Sequence, residues 1–416
     1  MVRRKLTSHF FFSAAAFAMG LVLAYGNRAV SEEILLELAA GSHDRENLTV
    51  SVALPESLRD AKNLTLKRLP KGQPIPVQCT SGENPRAVWI VRDPLPAGQV
   101  RRYSLAPSET APSEKAGVKV EDDGKRLLVK VGDKPILAYN HAIVSSPNPK
   151  LRCYARSGYI HPVYSPSGEI LTDDFNPDHA HQHGIMFAWR KGHFEGRDTN
   201  AWHQAAGKGK IEHVAVEAFG GGPVFGHFTV ALRQLDLTAP GDPKPVLDET
   251  WHVRIDRFEP FFVFDMEIIQ RCAGKSPYRV DKIHYGGMAI RGTDRWFQKK
   301  PGDFDFLTDL GKSRKNGDQT PARWVDFFGP IGDGLAGIDV MCHPGNFRFP
   351  QPVRLHPWMP YFCFTPASRG SFTLEPGKTY VSRYRFHVHD GKLNAQKAER
   401  LWNDYAHPPA VRVVNN

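Results

Sequence analysis

Apolar residues recur at every second position through much of this chain, and side chains alternate between the two faces of a strand, so this period predicts half-buried β-structure. Residues 380–389 are the cleanest case: Tyr384, Phe386 and Val388 fall on one face, and Arg383, Arg385, His387 and His389 on the other. Residues 126–131, 225–235 and 251–255 alternate in the same way, while the more continuous apolar run 261–269 predicts a more deeply buried strand. Gly-Pro, Pro-Gly and Asp-Gly pairs punctuate these runs as turns. Helical periodicity is confined to residues 395–405, with Asn394 as N-cap and Pro408-Pro409 beyond the end. Many strands separated by turns predict a mainly β fold, a large β-sandwich with a C-terminal helix. No internal repeat of fixed period is visible.

The organisation along the chain follows from composition. Residues 1–26 read as a secretory signal: Arg3, Arg4 and Lys5, then an apolar run over 10–23, then Ala24-Tyr25-Gly26 as a small-x-small cleavage site. Ala29-Val30-Ser31 is a second candidate site. The apolar run is shorter than the roughly 20 residues a spanning helix needs, and no later stretch is long and apolar enough. The expectation is a secreted or periplasmic protein with no membrane association after cleavage. Residues 34–105 carry short apolar runs (48–54, 64–69, 87–91) separated by Pro and Gly, and predict a small β module. Residues 106–116, Ala-Pro-Ser-Glu-Thr-Ala-Pro-Ser-Glu-Lys-Ala, read as a linker, and residues 117–406 as one large β domain.

The formal charge is +10, three units of it in the signal. Lys and Arg are scattered without a basic stripe, which argues against a nucleic-acid partner and for a solvated basic surface. A basic cleft for acidic sugars stays open. The five cysteines, Cys79, Cys153, Cys272, Cys342 and Cys363, have no CxxC spacing, which excludes a zinc ribbon. Export permits disulfides, but an odd number leaves at least one thiol free. Flanks such as Tyr361-Phe362-Cys363-Phe364 suit a small buried hydrophobe.

The densest polar segment is residues 158–184, in which His179, His181 and His183 are spaced by two. In an extended strand their rings would share a face, with Cα atoms about 7 Å apart. Two could then meet on one metal, with a third ligand from His161, His284 or the His387/His389 pair; zinc, copper and iron all accept imidazole. Asn176-Pro177-Asp178 predicts a turn as readily as a strand. In that case the histidines hydrogen-bond within a loop or touch a substrate directly, so a divalent metal held by His179, His181 or His183, a metal-free polar site and a structural role all stay open.

A second group spans residues 193–203. Sugar sites combine planar hydrogen bonding with an apolar ring face, which Arg197 and Trp202 could supply, although an Arg197 ion pair would equally well order a loop. A third, residues 342–352, is a Pro-stiffened loop carrying Asn346 and Arg348. Proton transfer needs a donor and an acceptor beside the reacting bond, and Asp173, Asp174, Asp178, Glu195 and Glu267 are available carboxylates. The candidate acid–base set is His179, His181, His183, Asp178 and Glu195. The candidate substrate-binding set is His161, Arg197, Trp202, His284, Arg291, Asn346, Arg348 and His387. A G-x-S-x-G elbow, a P-loop and a dinucleotide fingerprint are absent.

Five blocks carry a family resemblance: residues 157–168, 178–184 (Asp-His-Ala-His-Gln-His-Gly), 284–291, 343–346 and 387–391. In this order they resemble the uncharacterised exported bacterial proteins often labelled "methane oxygenase PmoA", over about residues 137–405. The resemblance implies a β-sandwich domain, with sandwiches of the galactose mutarotase type as the analogy, in bacteria rich in sugar-degrading systems. It brings no catalytic residues. The label implies a metal-dependent oxygenase, yet the methane monooxygenase subunit of that name is an integral membrane protein. Three expectations follow: a carbohydrate-active enzyme (epimerase, lyase or hydrolase) using His and carboxylate groups, a metal-dependent oxygenase, or a non-catalytic glycan-binding protein. The ligand expected in the first and third is a small molecule or oligosaccharide.

Overall fold

The structure is a computed structural model that describes residues 33–110, 117–296 and 304–414. The signal segment and residues 111–116 of the linker lie outside the described residues. The fold is mainly β. Two eight-stranded sheets dominate it. The first runs, in spatial order, Val353–Leu355, Tyr361–Phe364, Gly287–Arg291, Ile185–Ala188, Tyr159–Val163, Lys134–Asn140, Arg126–Val131, Val118–Asp122. The second runs Gly209–Gly220, Phe225–Asp236, Lys244–Asp256, Phe262–Cys272, Tyr380–Asp390, Gly334–Cys342, Trp324–Ile331, Asp305–Thr308.

The period of two explains how they pack. Phe228, Val230, Trp251, Val253, Phe264, Met266, Tyr384 and Phe386 from the second sheet share one buried cluster with Leu127, Val129, Ile160, Met186 and Phe362 from the first. Phe264 and Phe386 are direct cross-strand partners and stack with centroids 4.5 Å apart. The strand Phe262–Cys272 alternates rather than being buried on both sides. Its outward Asp265 and Glu267 stand opposite Arg385 and Arg383 and bond to them, so Glu267 serves the sheet surface.

The helix spans Ala395–Ala406, and the Asn394 side chain accepts the Lys397 N–H at 2.7 Å. It buries Ala398, Leu401 and Trp402 against Trp324, Met341 and Leu393. A strand the sequence reading did not anticipate, Ala410–Val414, follows the helix and pairs antiparallel with Ile34–Ala39. Leu36, Leu48, Val50, Leu66, Trp89 and Leu105 form a separate core between the five-stranded and three-stranded sheets of the N-terminal residues. Buried Arg45 ties that region to the helix end, bonding Asp404 at 2.9 Å and the His407 carbonyl at 2.7 Å. All five cysteines are free thiols; Cys342 and Cys363 are buried, as their flanks predict. Among the described residues, no helix is long and apolar enough to cross a membrane.

Residues 164–184 connect two neighbouring strands of the first sheet and re-enter it at Gly184, where φ is +42°. A Cβ there would drive into the Ile160 carbonyl and lie 2.8 Å from His161 Cβ. Gly184→Ala is therefore expected to cost about 1–3 kcal/mol or more, from overpacking and the left-handed backbone together. Urea denaturation measures this; an unchanged midpoint would mean that the segment enters the sheet differently.

Candidate functional site

The three histidines do not form a row. Residues 177–178 and 180–181 are turns, and strand structure resumes only at Ile185. Without an extended backbone, alternate side chains no longer share a face. Asn176 fixes the turn by donating to Asp173 at 3.0 Å and to Asp294 at 2.7 Å. Phe175 takes a positive φ of 54°, a costly conformation for a bulky residue, and its ring meets His183 edge-on at 4.8 Å.

His183 is consequently turned inward and fully buried. Its Nδ1 lies 2.5 Å from Asp174 Oδ1, and the Tyr159 hydroxyl donates to Asp174 Oδ2 at 2.6 Å. Burial pushes the imidazole down, and the attraction of Asp174 only partly opposes this. His161 stands nearby with Nδ1 2.9 Å from Thr172 Oγ1, also pushed down chiefly by burial. Arg291 is buried and braces the loop from behind, donating to Gln182 Oε1 at 3.2 Å with Asp173 3.7 Å away.

His179 and His181 turn the other way, into a pocket of about 350 Å³. Asp178 and Gln182 from the same loop line it, together with Tyr154, Arg190, Trp202, His203 and Tyr285 from four other segments. His181 lies 4.5 Å from His203 and 5.6 Å from His179, ring centre to ring centre. Tyr154 meets His203 edge-on at 5.7 Å, and Trp202 approaches Tyr285 at 6.3 Å. The Arg190 guanidinium lies over Tyr285. Beyond His179, His356 at 6.4 Å and exposed Trp358 at 6.0 Å extend the aromatic surface.

Crowding removes the imidazoles' basicity. Burial, then the neighbouring His203 and His179, pushes His181 down to about 2. Burial, then Arg354, takes His356 to about 3. His179, His203 and His284 are lowered too, each chiefly by burial. At neutral pH the cluster is uncharged, and each ring offers one donor and one acceptor. Arg190 supplies the positive charge and Asp178 the carboxylate.

Of the residues proposed from sequence, the pocket gathers Asp178, His179, His181 and Trp202. His284 is adjacent, its ring 4.5 Å from Tyr285. His161, His183 and Arg291 stand behind the lining. The others are elsewhere, each already engaged. Glu195 occupies a hairpin turn, 2.5 Å from Lys244 and 2.7 Å from Ser276, and these bonds hold its carboxyl at about 2. Arg197 pairs with Asp236 at 2.8 Å. Asn346 clamps Arg383 through both backbone groups, and Arg348 donates to the carbonyls of Pro366, Gly370 and Ser371. His387 is buried in the second sheet, opposite Asp339 in register and against Phe261. Thus the grouping of Glu195, Arg197, Asn346, Arg348 and His387 with the histidine loop does not hold in space. Among the described residues, no group of three or more His, Cys, Asp or Glu side chains is arranged to hold a metal ion.

Tyr154, Arg190, His203, Tyr285, His356 and Trp358 complete the site without having been singled out. His203 follows Trp202 and Tyr285 follows His284, so a preference for aromatic and imidazole neighbours in loops would have found those two. The rest are brought in only by tertiary folding.

The pocket's histidines make stability depend on pH in a set direction. The folded value of His181 lies far below the ordinary 6.5, so on acidification the unfolded chain takes up the proton first. Stability is complete above about pH 6.5 and is lost as the pH falls from there toward about 2, with His356 acting the same way. The denaturation midpoint should be flat near pH 7–8 and fall below 6.5, less steeply in His181→Gln. A midpoint that rises on acidification would remove burial as the dominant influence on these rings.

The chain belongs to a family of unknown function, DUF6807, whose model matches residues 126–403. The methane-oxygenase label is no part of that description. No curated protein matches. Among solved structures, the chain is similar to the GH36 alpha-galactosidase AgaB of Geobacillus stearothermophilus, with 10% identity and a TM-score of 0.32. That match covers 69% of this chain and 41% of the galactosidase, so the chain spans about two fifths of that enzyme. It is also similar to a galactose mutarotase related enzyme of Lactobacillus acidophilus, with 9% identity, a TM-score of 0.28, and 66% and 100% of the respective chains covered.

Proposed function

We propose that this member of the DUF6807 family takes a sugar or short oligosaccharide into the His181 pocket and moves a proton on it. The observation that carries this reading is the joining, in one pocket, of ring faces (Tyr154, Trp202, Tyr285) with uncharged imidazoles, one guanidinium and one carboxylate. Sugars present apolar C–H faces and a rim of hydroxyls. The rings match the first and the donor–acceptor imidazoles the second. The volume of about 350 Å³ falls within the range of about 300–1,000 Å³ typical of small-molecule sites.

The roles divide by basicity. His181, held at about 2, is neutral at neutral pH and a weak base, so it acts as a hydrogen-bond partner to a hydroxyl. Asp178 is the base, and neutral His179 or His203, on the more open side, donates a hydrogen bond to the charge that develops as the proton leaves. Glycoside hydrolysis commonly uses two carboxylates flanking the bond, and Asp178 is the lining's single carboxylate. Epimerisation or elimination, which needs one base and groups that stabilise the developing charge, therefore fits the lining, with Asp178 and Arg190, better. The low basicity of His181 and His356 favours, as a second reading, a glycan-binding protein without turnover. Residues 3–26, with their basic, apolar and small-residue order, support placing this activity outside the cytoplasm; N-terminal sequencing of the mature protein should then begin between about Asn27 and Glu32.

Incubation with a panel of neutral sugars and their oxidised derivatives in D₂O tests the main reading, since proton abstraction leaves deuterium on carbon. Asp178→Asn should lower deuterium incorporation by about 10²–10⁴-fold while leaving the thermal midpoint unchanged. Trp358→Ala should weaken binding by up to about tenfold. Binding without deuterium incorporation would select the glycan-binding reading. Absence of binding at millimolar sugar would overturn both.

A further inference from the structure

A second cavity, of about 340 Å³, lies where the N-terminal β sheets meet the second large sheet. Its walls are well fixed. Val88 and Ile90 pack with Val224, Phe225, Phe258 and Phe261 in one buried cluster. Gln78 Oε1 accepts the backbone N–H groups of Val224 and Phe225, both at 3.0 Å. The cavity is therefore a preformed feature of the junction.

Its charge is one-sided. Arg68, Arg92, Arg101 and Arg257 line it, against the single carboxylate of Asp93. Arg68 shares Asp93 at 3.1 Å, and Arg101 is buried and oriented by the carbonyls of Asp93 and Pro94. The Arg257 side chain donates to the Pro223 carbonyl at 3.4 Å, and its buried Nε has no hydrogen-bond partner among the described residues. Arg92 and Arg257 line the cavity together; partial burial and then the charge of Arg257 push Arg92 below its ordinary value, and nearby Glu259 opposes this. Like charges held together in a partly desolvated space are an energetic cost that an anion would relieve. Ile75, Tyr103 and Val224 supply apolar wall between the guanidiniums, which suits a ring that carries the anion better than a bare ion.

We propose that this cavity is a second ligand site, for an acidic saccharide whose carboxylate or sulfate ester is held by Arg92 and Arg257 and whose ring packs on the apolar wall. The inference draws on the sugar reading of the His181 pocket for its choice of ring. The two sites share no lining residue, so they fail independently.

Titration calorimetry of the full chain with trigalacturonate, its methyl ester, a sulfated galactose disaccharide, neutral galactotriose and inorganic sulfate tests it. Either acidic saccharide should bind, more weakly as salt is raised, while the ester and galactotriose should not bind at this site. Arg92→Gln and Arg257→Gln should each weaken the acidic ligand by about tenfold or more at unchanged thermal midpoint. Asp178→Asn should leave that affinity unchanged, which separates this site from the His181 pocket. If Arg257→Gln perturbs folding, exposed Arg92→Gln alone decides. The proposal is overturned if Arg92→Gln binds the acidic saccharides like the wild type, if it weakens the ester as much as the acid, or if inorganic sulfate binds as tightly as the acidic saccharides.

Discussion

Phe264 and Phe386 stack on neighbouring strands, and around them the inner faces of two eight-stranded sheets close on one another. Burial of those faces is the constraint on which the rest of the molecule depends. Apolar burial contributes about 25 cal/mol per Å² and is indifferent to direction, but the alternation of the strands gives it one. Once Tyr384, Phe386 and Val388 are inside, the residues between them take the opposite face of the sheet, where Arg383 and Arg385 are partly exposed and His387 is covered. That is why Arg383 and Arg385 meet Glu267 and Asp265 across the strands.

The loop over residues 164–184 illustrates how such a site is held. Its histidines are divided between two tasks by a single buried bond. His183 binds Asp174, which also takes the Tyr159 hydroxyl, so the loop is anchored on the strand Tyr159–Val163. The strained Phe175 and the side chain of Asn176 turn the chain just before it. With His183 committed to the anchor, His179 and His181 are left to face the pocket. Breaking the anchor would strand a buried carboxylate and a buried imidazole, a larger penalty than the bond's net contribution. Gln204, 3.5 Å from His183 Nε2, connects this anchor to the segment that carries Trp202 and His203.

How much of this was legible in the sequence depends on the range of the interaction that decides each feature. The strands over 126–131 and 380–389 and the helix after Asn394 are written in local periodicity and capping chemistry, and they form where expected. The strand Ala410–Val414 is short, and its partner lies at the other end of the chain, so local pattern alone could not identify it. The spacing of His179, His181 and His183 is a strand signal, but Asn176-Pro177-Asp178 beside it is a turn signal, and the turn prevailed. Glu195 and Arg197 look reactive in sequence because charge near an aromatic does. In space their charges are consumed by Lys244 and Asp236, partners more than 35 residues away. The pocket's composition is the least legible part, since Tyr154, Arg190, Trp202 and Tyr285 belong to four segments that only the sheet order brings together.

The two cavities differ in how burial acts on their side chains, and this difference bears on what each can hold. Desolvation disfavours the charged form of any group. An imidazole answers by giving up its proton, so the His181 cluster becomes a neutral surface of donors and acceptors. A guanidinium has no such exit within the physiological range, because it stays protonated even when its pKa falls. Arg92 and Arg257 therefore keep their charges in the lining of one cavity, with Glu259 only partly opposing their effect on each other, and an anion there would relieve the rest. The same physical penalty thus leaves a neutral donor–acceptor surface in one cavity and a set of guanidiniums in the other.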